Sequence, residues 1–266
     1  MTASSLDRRS SPSRPQKKSF LREYGEALFI ALILALVIRA FLVQAFSIPS
    51  GSMLPTLQVG DYLLVNKFIY GLRNPFTNKV MVPLGQPERG EIVVFIFPQD
   101  PSKDYIKRVI GLPGDKVQIV DKKVLINGKL LETPQAVYND PTLIPAPTHR
   151  TESPRDNFGP AVVPPNAYFV MGDNRDHSYD SRFWGFVPMD ALRGKALVIY
   201  FSWAGNHHES LPQAFVGGLK GLISNFSWNR DEFQIRWDRI GKIIRSWDGG
   251  NKPLSAKAPT KTAAAR

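Results

Sequence analysis

One long apolar run, Ala27 to Phe46, broken only by Arg39 and Gln44, constrains how the rest of this 266-residue chain can be arranged. Twenty residues in a helix reach about 30 Å, the thickness of a bilayer's hydrocarbon core. A transmembrane helix over residues 23–46 is therefore expected. Arg39 lies towards the far end, where a long side chain reaches the interface. Arg8, Arg9, Arg14, Lys17, Lys18 and Arg22 precede the run, so the positive-inside rule puts the N-terminus in the cytoplasm and everything after Phe46 outside. Residues 1–22, rich in Ser, Pro, Arg and Lys, then read as a disordered basic cytoplasmic tail. A cleavable signal peptide competes, because Val43-Gln44-Ala45 offers small residues for a cut. The long charged leader and the apolar residues beyond Arg39 favour an uncleaved anchor.

The loop that follows contains Ser50-Gly51-Ser52 between Pro49 and Pro55. Such a turn presents hydroxyls stiffly, and ordinary turn chemistry explains it as readily as a catalytic serine does. Its position is more telling than its composition. Six residues separate Phe46 from Ser52, a tether of at most about 20 Å at roughly 3.3–3.6 Å per residue.

Beyond the loop the pattern is β. Asp61–Lys67, Glu91–Phe97, Tyr105–Ile110, Val117–Val120, Val124–Ile126, Tyr168–Met171 and Ala196–Phe201 are short runs of β-branched and aromatic residues between Pro and Gly. Asn127-Gly128 marks a tight hairpin turn. With no helix-period segment between Ser47 and Trp203, an all-β domain of antiparallel strands is expected over 47–204. Arg73–Glu88 reads as a loop, either lipid-touching or core-covering, and Glu132–Pro165 as a Pro-rich surface excursion. In the C-terminal extension, 205–266, the residues 226–247 mix Trp, Ile and Phe with arginines, as a basic amphipathic helix on a membrane or a helix packed on the domain would, and the end looks disordered. Much of the net charge of +11 lies in the two tails, which favours anionic lipid over nucleic acid as partner. The absence of cysteine rules out a disulfide framework, a thiolate metal site and a cysteine nucleophile.

Two further stretches bear on chemistry. In Asp104-Tyr105-Ile106-Lys107-Arg108-Val109-Ile110, strand alternation puts Lys107 on the face of Tyr105 and Val109. A strand lysine is usually a solvated edge residue. If buried, its charged form is penalised and the neutral amine becomes a base for a serine hydroxyl. In Gly172-Asp173-Asn174-Arg175-Asp176-His177-Ser178-Tyr179-Asp180-Ser181-Arg182 the carboxylates suggest a calcium loop, but Arg175 and Ser178 stand where a ligand and a glycine are needed. A dense turn of Asp/Arg pairs is the simpler reading.

Together these three boxes, Ser50-Gly51-Ser52-Met53, Tyr105-Ile106-Lys107-Arg108 with Gly111-Leu112-Pro113-Gly114-Asp115, and Gly172 to Arg182, resemble the bacterial type I signal peptidases in order and context from about Phe29 to Phe201. The resemblance implies a membrane-bound serine endopeptidase that removes signal peptides from exported preproteins after Ala-x-Ala motifs. It implies Ser52 as nucleophile, Lys107 as general base, Ser50 and Ser52 as oxyanion hole, and Ser178 as orienter of the base. By the same resemblance Phe46, Ile48, Met53, Leu57, Tyr105 and Ile106 line shallow pockets for the −1 and −3 side chains, and Asp173, Asp180 and Arg182 are structural supports. No metal, cofactor or nucleic acid is implied, and the partners are signal peptides and anionic lipids. The chain is expected to be a monomer in the bacterial inner membrane with its catalytic domain on the periplasmic side. Two departures stand out: His177 occupies a position that is often Asn, which raises a Ser52/His177/Asp triad, and a second span is not found. A self-cleaving serine/lysine protease of the SOS-repressor type and a non-catalytic, membrane-tethered β adaptor are the rival functions.

Overall fold

The computed structural model describes residues 20–37, 42–74, 80–149, 153–205 and 233–246. The chain forms two compact units, Met1–Arg39 and Ala40–Arg266. The basic tail before Phe20, Arg39 and the C-terminal end all lie outside the described residues.

The first unit contains helix α1 (Phe20–Val37). Ala, Leu and Ile dominate it and no Gly or Pro follows Gly25, so helix propensity is high where the side chains are apolar. Leu28, Phe29, Ile30, Leu32, Leu34 and Leu36 are each more than half exposed, on all sides of the helix. The helix stops well short of the expected 23–46 span, because Val43–Ser47 is a strand, β1, hydrogen-bonded to β2 (Asp61–Asn66) from Val43↔Asn66 to Ser47↔Tyr62. Val43 and Phe46 favour a pleated surface, and here the partner strand satisfies the backbone. Among the described residues no helix is long and apolar enough to cross a membrane.

The second unit is mostly antiparallel β. After β2 come a hairpin of β3 (Gly71–Arg73) and β4 (Val80–Pro83), then β5 (Ile92–Ile96) and β6 (Asp104–Gly111). A meander of β7 (Lys116–Val120), β8 (Lys123–Ile126) and β9 (Lys129–Leu130) follows. The chain continues through β10 (Phe158–Val162), β11 (Ala167–Met171), the short helix α2 (Ser181–Trp184), β12 (Val187–Pro188), β13 (Leu192–Gly205) and β14 (Phe233–Ile235). The main sheet runs β1-β2-β13-β5-β6-β11-β12 with β14 added to β13, and a smaller sheet runs β10-β7-β8-β9. The Asn127-Gly128 turn has φ of 54° and 79°, the left-handed pair a tight hairpin requires. The stretch 73–88 supplies a strand rather than only a loop, and the Pro-rich excursion ends in one.

Of the segment 226–247, expected to be an amphipathic helix, the described part, residues 233–246, is a short strand followed by a single 3-10 turn (Trp237–Arg239), and the rest lies outside the described residues. Trp203↔Ile235 and Gly205↔Phe233 pair β14 with β13, and Val198↔Ile243 forms a further bridge. The cause is electrostatic. Asp61, fully buried, accepts from Arg239 Nε (2.9 Å) and Nη2 (2.5 Å), from Ser202 Oγ (2.7 Å) and from the Gln58 N–H (2.8 Å). Burial alone would push its carboxyl up; Arg239, Gln58 and Ser202 hold it below the usual range. Arg236 donates to the Val59 and Trp203 carbonyls and to Gln58 Oε1 and Ser202 Oγ. Two of the arginines that suggested a lipid-facing stripe, Arg236 and Arg239, are thus spent on the β1–β2 loop, the first residue of β2 and β13, and Ile244 joins Ile48, Met53 and Leu57 in one core cluster. Arg239→Met is expected to strand the Asp61 carboxylate and cost about 3 kcal/mol. Urea denaturation checks this, with Arg239→Lys recovering only part because the fork is lost.

Candidate active site

Three elements converge. Ser52 sits in a single 3-10 turn, Gly51–Met53, inside the β1–β2 loop. Met53 and Leu57 are fully buried in the core with Ile92 and Ile106 packed alongside, so the turn is pinned by its own apolar neighbours. Thr56 Oγ1 ties the far side of the loop to Asp173 at 2.6 Å. Lys107 lies mid-strand in β6, opposite Val93 of β5. On the other edge of β6, Met171 stands opposite Arg108, and the next residue in that register brings Gly172 alongside Lys107. The loop Gly172–Arg182 therefore begins beside the lysine.

Lys107 Nζ lies 2.8 Å from Ser52 Oγ and donates to the Ile106 carbonyl at 3.0 Å. Only 4% of the lysine is exposed, and the Tyr105 ring centroid is 5.4 Å from the amine. Burial pushes the Lys107 amine down to about 8; Asp180 and Asp173 pull it part of the way back, and Arg182 opposes them. An amine lowered towards neutral pH, so that part of it is unprotonated beside a hydroxyl, is what proton abstraction from serine requires.

The next side chain, Arg108, points to the other face and makes a two-pronged pair with Asp173 at 2.7 and 2.6 Å, both groups 1% exposed. Asp180 and Arg182 form a second such pair, 2.8 Å at each prong. Burial would raise the Asp180 carboxyl, and Arg182 with the Gly172 N–H outweighs it and holds it low. Two carboxylates near the lysine thus carry guanidinium partners of their own.

Ser178 is buried, yet its Oγ makes no well-aligned hydrogen bond; it lies near enough to Asp180 to help hold that carboxyl down. Lys107 takes its bonds from Ser52 and Ile106, not from Ser178. Ser50 Oγ is 3.5 Å from Ser52 Oγ. An open cavity of about 350 Å³ fronts the pair, lined by Ser50, Gly51, Ser52, Tyr105, Lys107, Asn174, His177 and Tyr179. Of the residues expected to line substrate pockets, only Tyr105 borders it. Ile48, Met53 and Leu57 lie in the core beneath, Ile106 packs on the same cluster, and Phe46 is half-buried on β1 opposite Leu63.

Asn174, His177 and Tyr179 were not singled out as cavity walls from sequence, because the box that holds them reads as a turn. His177 borders the cavity, but the group on Ser52 Oγ is Lys107. Tyr179 continues an aromatic wall: Phe97 stacks on Tyr105 at 4.3 Å and meets Tyr179 edge-on at 6.2 Å. Among the described residues no cluster of three His, Cys, Asp or Glu side chains has a metal-holding arrangement.

Residues 21–203 match the family model described as signal peptidase, peptidase S26. Signal peptidase I of Pseudomonas fluorescens is 42% identical over 228 residues, covering 76% of this chain and 80% of the relative. Signal peptidase I of Aquifex aeolicus is 37% identical, covering 68% and 85%. The crystal structure of a signal peptidase I from Enterococcus faecalis is 30% identical over 42% of this chain and 97% of its own, with a TM-score of 0.34.

Proposed function

The chain belongs to the signal peptidase family, peptidase S26, and from that premise we propose that it is a membrane-anchored serine endopeptidase that cuts signal peptides from exported preproteins through a Ser52/Lys107 dyad. The observation that carries the dyad is the 2.8 Å approach of a buried amine, lowered to about 8, to Ser52 Oγ.

In this reading neutral Lys107 takes the hydroxyl proton as Ser52 Oγ attacks the scissile carbonyl carbon. The carbonyl π pair moves onto oxygen, which the Ser52 N–H and the Ser50 hydroxyl receive. As the C–N bond breaks, the Lys107 ammonium returns the proton to the departing amine of the mature protein. A water, deprotonated by Lys107, then attacks the acyl carbon; the C–Oγ bond breaks, the Lys107 ammonium returns the proton to Ser52 Oγ, and the signal peptide leaves as its carboxylate. Ser178 is the residue proposed to aim the amine, while Asp173, Asp180 and Arg182 support the loop. Of the residues proposed for the −1 and −3 pockets, Tyr105 borders the cavity and would meet these side chains directly, while Ile48, Met53 and Leu57, buried beneath with Ile106 packed on them and Phe46 on β1, would shape the ground from below; small side chains are preferred in this reading.

Anchoring rests on α1. Its charge-free stretch Ala27–Val37 covers eleven residues, about 16 Å as a helix, and its apolar side chains are exposed all round, an arrangement stable in lipid rather than water. The basic residues before Phe20 argue for a cytoplasmic N-terminus and an extracytoplasmic β domain in the bacterial inner membrane. A nucleophile on a chain anchored in this way meets a precursor whose own apolar segment lies in the same bilayer.

Purified full-length chain in detergent, given a preprotein, is expected to make one cut after Ala-x-Ala, identified by N-terminal sequencing of the product. Replacing the −1 Ala of the substrate by Leu should lower the rate about 100-fold or more. Cleavage at scattered sites, or indifference to the −1 residue, would refute this substrate class.

A further inference from the structure

The Ser52 peptide is held in place from behind by one side chain that the mechanism above leaves unused. Asn174 Nδ2 donates to the Gly51 carbonyl at 3.2 Å, and the Asn174 N–H donates to the Ser52 carbonyl at 3.1 Å. The orientation of the amide follows from chemistry: the Gly51 oxygen can only accept, so the atom facing it is the NH₂ group. Oδ1 accepts in turn from Asn139 Nδ2 at 3.4 Å. Asn174 is itself buried, and its backbone is fixed on both sides, by Val137 N–H to the Asp173 carbonyl (2.8 Å) and Arg175 N–H to the Val137 carbonyl (2.9 Å).

Peptide planarity turns this into a statement about catalysis. In a trans peptide the C=O and the N–H point in opposite directions. The Gly51 carbonyl is drawn towards Leu54 N–H (3.2 Å) and Asn174 Nδ2, so the N–H on the same plane, that of Ser52, is turned away from them. Among the described residues that N–H donates to no protein acceptor. Ser52, Gly51 and Asn174 all border the open cavity. We infer that Asn174 is the positioning residue of the oxyanion hole, an amide that grips the Gly51 carbonyl so that the Ser52 N–H is aimed at the substrate oxygen as negative charge develops there.

The Pro-rich excursion gains a role from the same contacts. Residues 137–140 brace Asn174 through Asn139 and the Val137 bridge, and Asp140 N–H donates to Asp176 at 2.8 Å. Arg155 ties two interior parts of the excursion together by gripping Asp140 (2.6 Å) while also pairing with its neighbour Asp156 (2.7 Å). Arg155 is thus linked to the Ser52 peptide through Asp140, the adjoining Asn139 and Asn174, by hydrogen bonds and one peptide step.

The inference rests on the dyad reading, and its test separates the two. Asn174→Asp keeps the shape, loses the donor and sets a carboxylate against the Gly51 oxygen. Because a missing oxyanion donor costs about 10²–10³ in kcat, a donor misdirected rather than removed is expected to lower kcat about 30-fold, with KM within about 3-fold of the parent. A peptide aldehyde is the discriminating probe. Ser52 Oγ adds to its carbon and the aldehyde oxygen takes the place of the oxyanion, so its inhibition constant should rise by the same factor as kcat falls. Affinity of a Ser52→Ala background for uncleaved preprotein should not change when Asn174→Asp is added.

Unchanged kcat, or equal losses in aldehyde and ground-state affinity, would overturn the inference. Should Asn174→Asp melt below the assay temperature, Asn139→Ala, which leaves the backbone bonds of the loop in place, is read the same way: a kcat loss of about 5-fold is expected, and no loss overturns the inference. Full activity of Ser52→Ala would instead refute the dyad, whatever Asn174 does.

Discussion

Lys107→Met is expected to abolish preprotein cleavage, lowering kcat/KM by about 10⁴-fold or more, and at the same time to make the protein more stable near neutral pH. The first effect follows, in the dyad reading, from removing the amine that lies 2.8 Å from Ser52 Oγ. The second follows from the direction in which the amine is displaced. Its folded value of about 8 lies below its ordinary value of 10.5. Below about pH 8 both folded and unfolded chains hold the proton, and the folded state carries the full cost of a buried ammonium, about 3 kcal/mol at 1.36 kcal/mol per pH unit. Between 8 and 10.5 the folded chain has released the proton while the unfolded chain keeps it, so parent stability rises with pH across that window. Methionine, of similar length and without charge, removes both the cost and the slope. Urea denaturation at pH 6.5 and pH 9.5 should show the variant ahead of the parent by about 3 kcal/mol at the lower pH and by only about 1 kcal/mol at the higher. Cleavage by the parent should climb as pH passes through about 8. Ser52→Ala, which leaves the buried amine in place, should lose activity equally while keeping the parent's slope. A Lys107→Met chain no more stable than the parent at pH 6.5 would mean that the amine is better solvated than its 4% exposure implies.

The parts of the fold legible in sequence were those set by neighbours along the chain. Strands at 61–66, 92–96 and 104–111 are runs of β-branched and aromatic residues, and Asn127-Gly128 has the only kind of side chains its left-handed turn accepts without strain. Where the deciding partner is remote, composition misleads. Val43–Ser47 continues the hydrophobicity of α1 without a Gly or Pro between, and only its pairing with β2 makes it a strand. Arg236 and Arg239 have the spacing of a basic helical face, but their acceptors are Asp61, Val59 and Gln58, some 178 residues earlier in the chain. The site divides in the same way. Motif resemblance points to Ser52 and Lys107, residues whose chemistry cannot be replaced. It does not separate floor from wall: Ile48, Met53 and Leu57 are beneath the cavity, whereas Asn174, His177 and Tyr179 form its side. That distinction depends on how the loop after β11 folds over the loop before β2, which no local pattern encodes.

Gly172 sits where those two loops touch, and Gly172→Ala should cost activity beyond what its loss of stability explains. An added Cβ would stand 2.3 Å from Ser178 Oγ and 2.4 Å from the Ser52 carbonyl oxygen. The hydroxyl can rotate away, but the carbonyl cannot, because it is backbone already held by the Asn174 N–H at 3.1 Å. Relieving the overlap therefore moves the nucleophile's own peptide by roughly half an ångström or more, and displacements near 1 Å cost on the order of 100-fold in rate. Overpacking adds about 2–3 kcal/mol of instability, some 5–10 °C in Tm for a domain of this size. Activity and stability are separated by a control. At Gly111 an added Cβ would meet only side chains, Val117 Cγ2 at 2.7 Å, Phe169 Cβ at 2.9 Å and Val163 Cγ2 at 3.0 Å. Those belong to the core cluster under the smaller sheet, away from the dyad. Gly111→Ala should thus lower Tm by a comparable amount yet keep kcat/KM within about 2-fold of the parent at temperatures where it is folded, because nothing it displaces reaches Ser52. If both variants lost activity in proportion to their stability, the Ser52 carbonyl would not be the group that matters. If Gly172→Ala alone lost activity while remaining folded, the absence of a side chain at 172 would be a requirement of the reaction and not only of the fold.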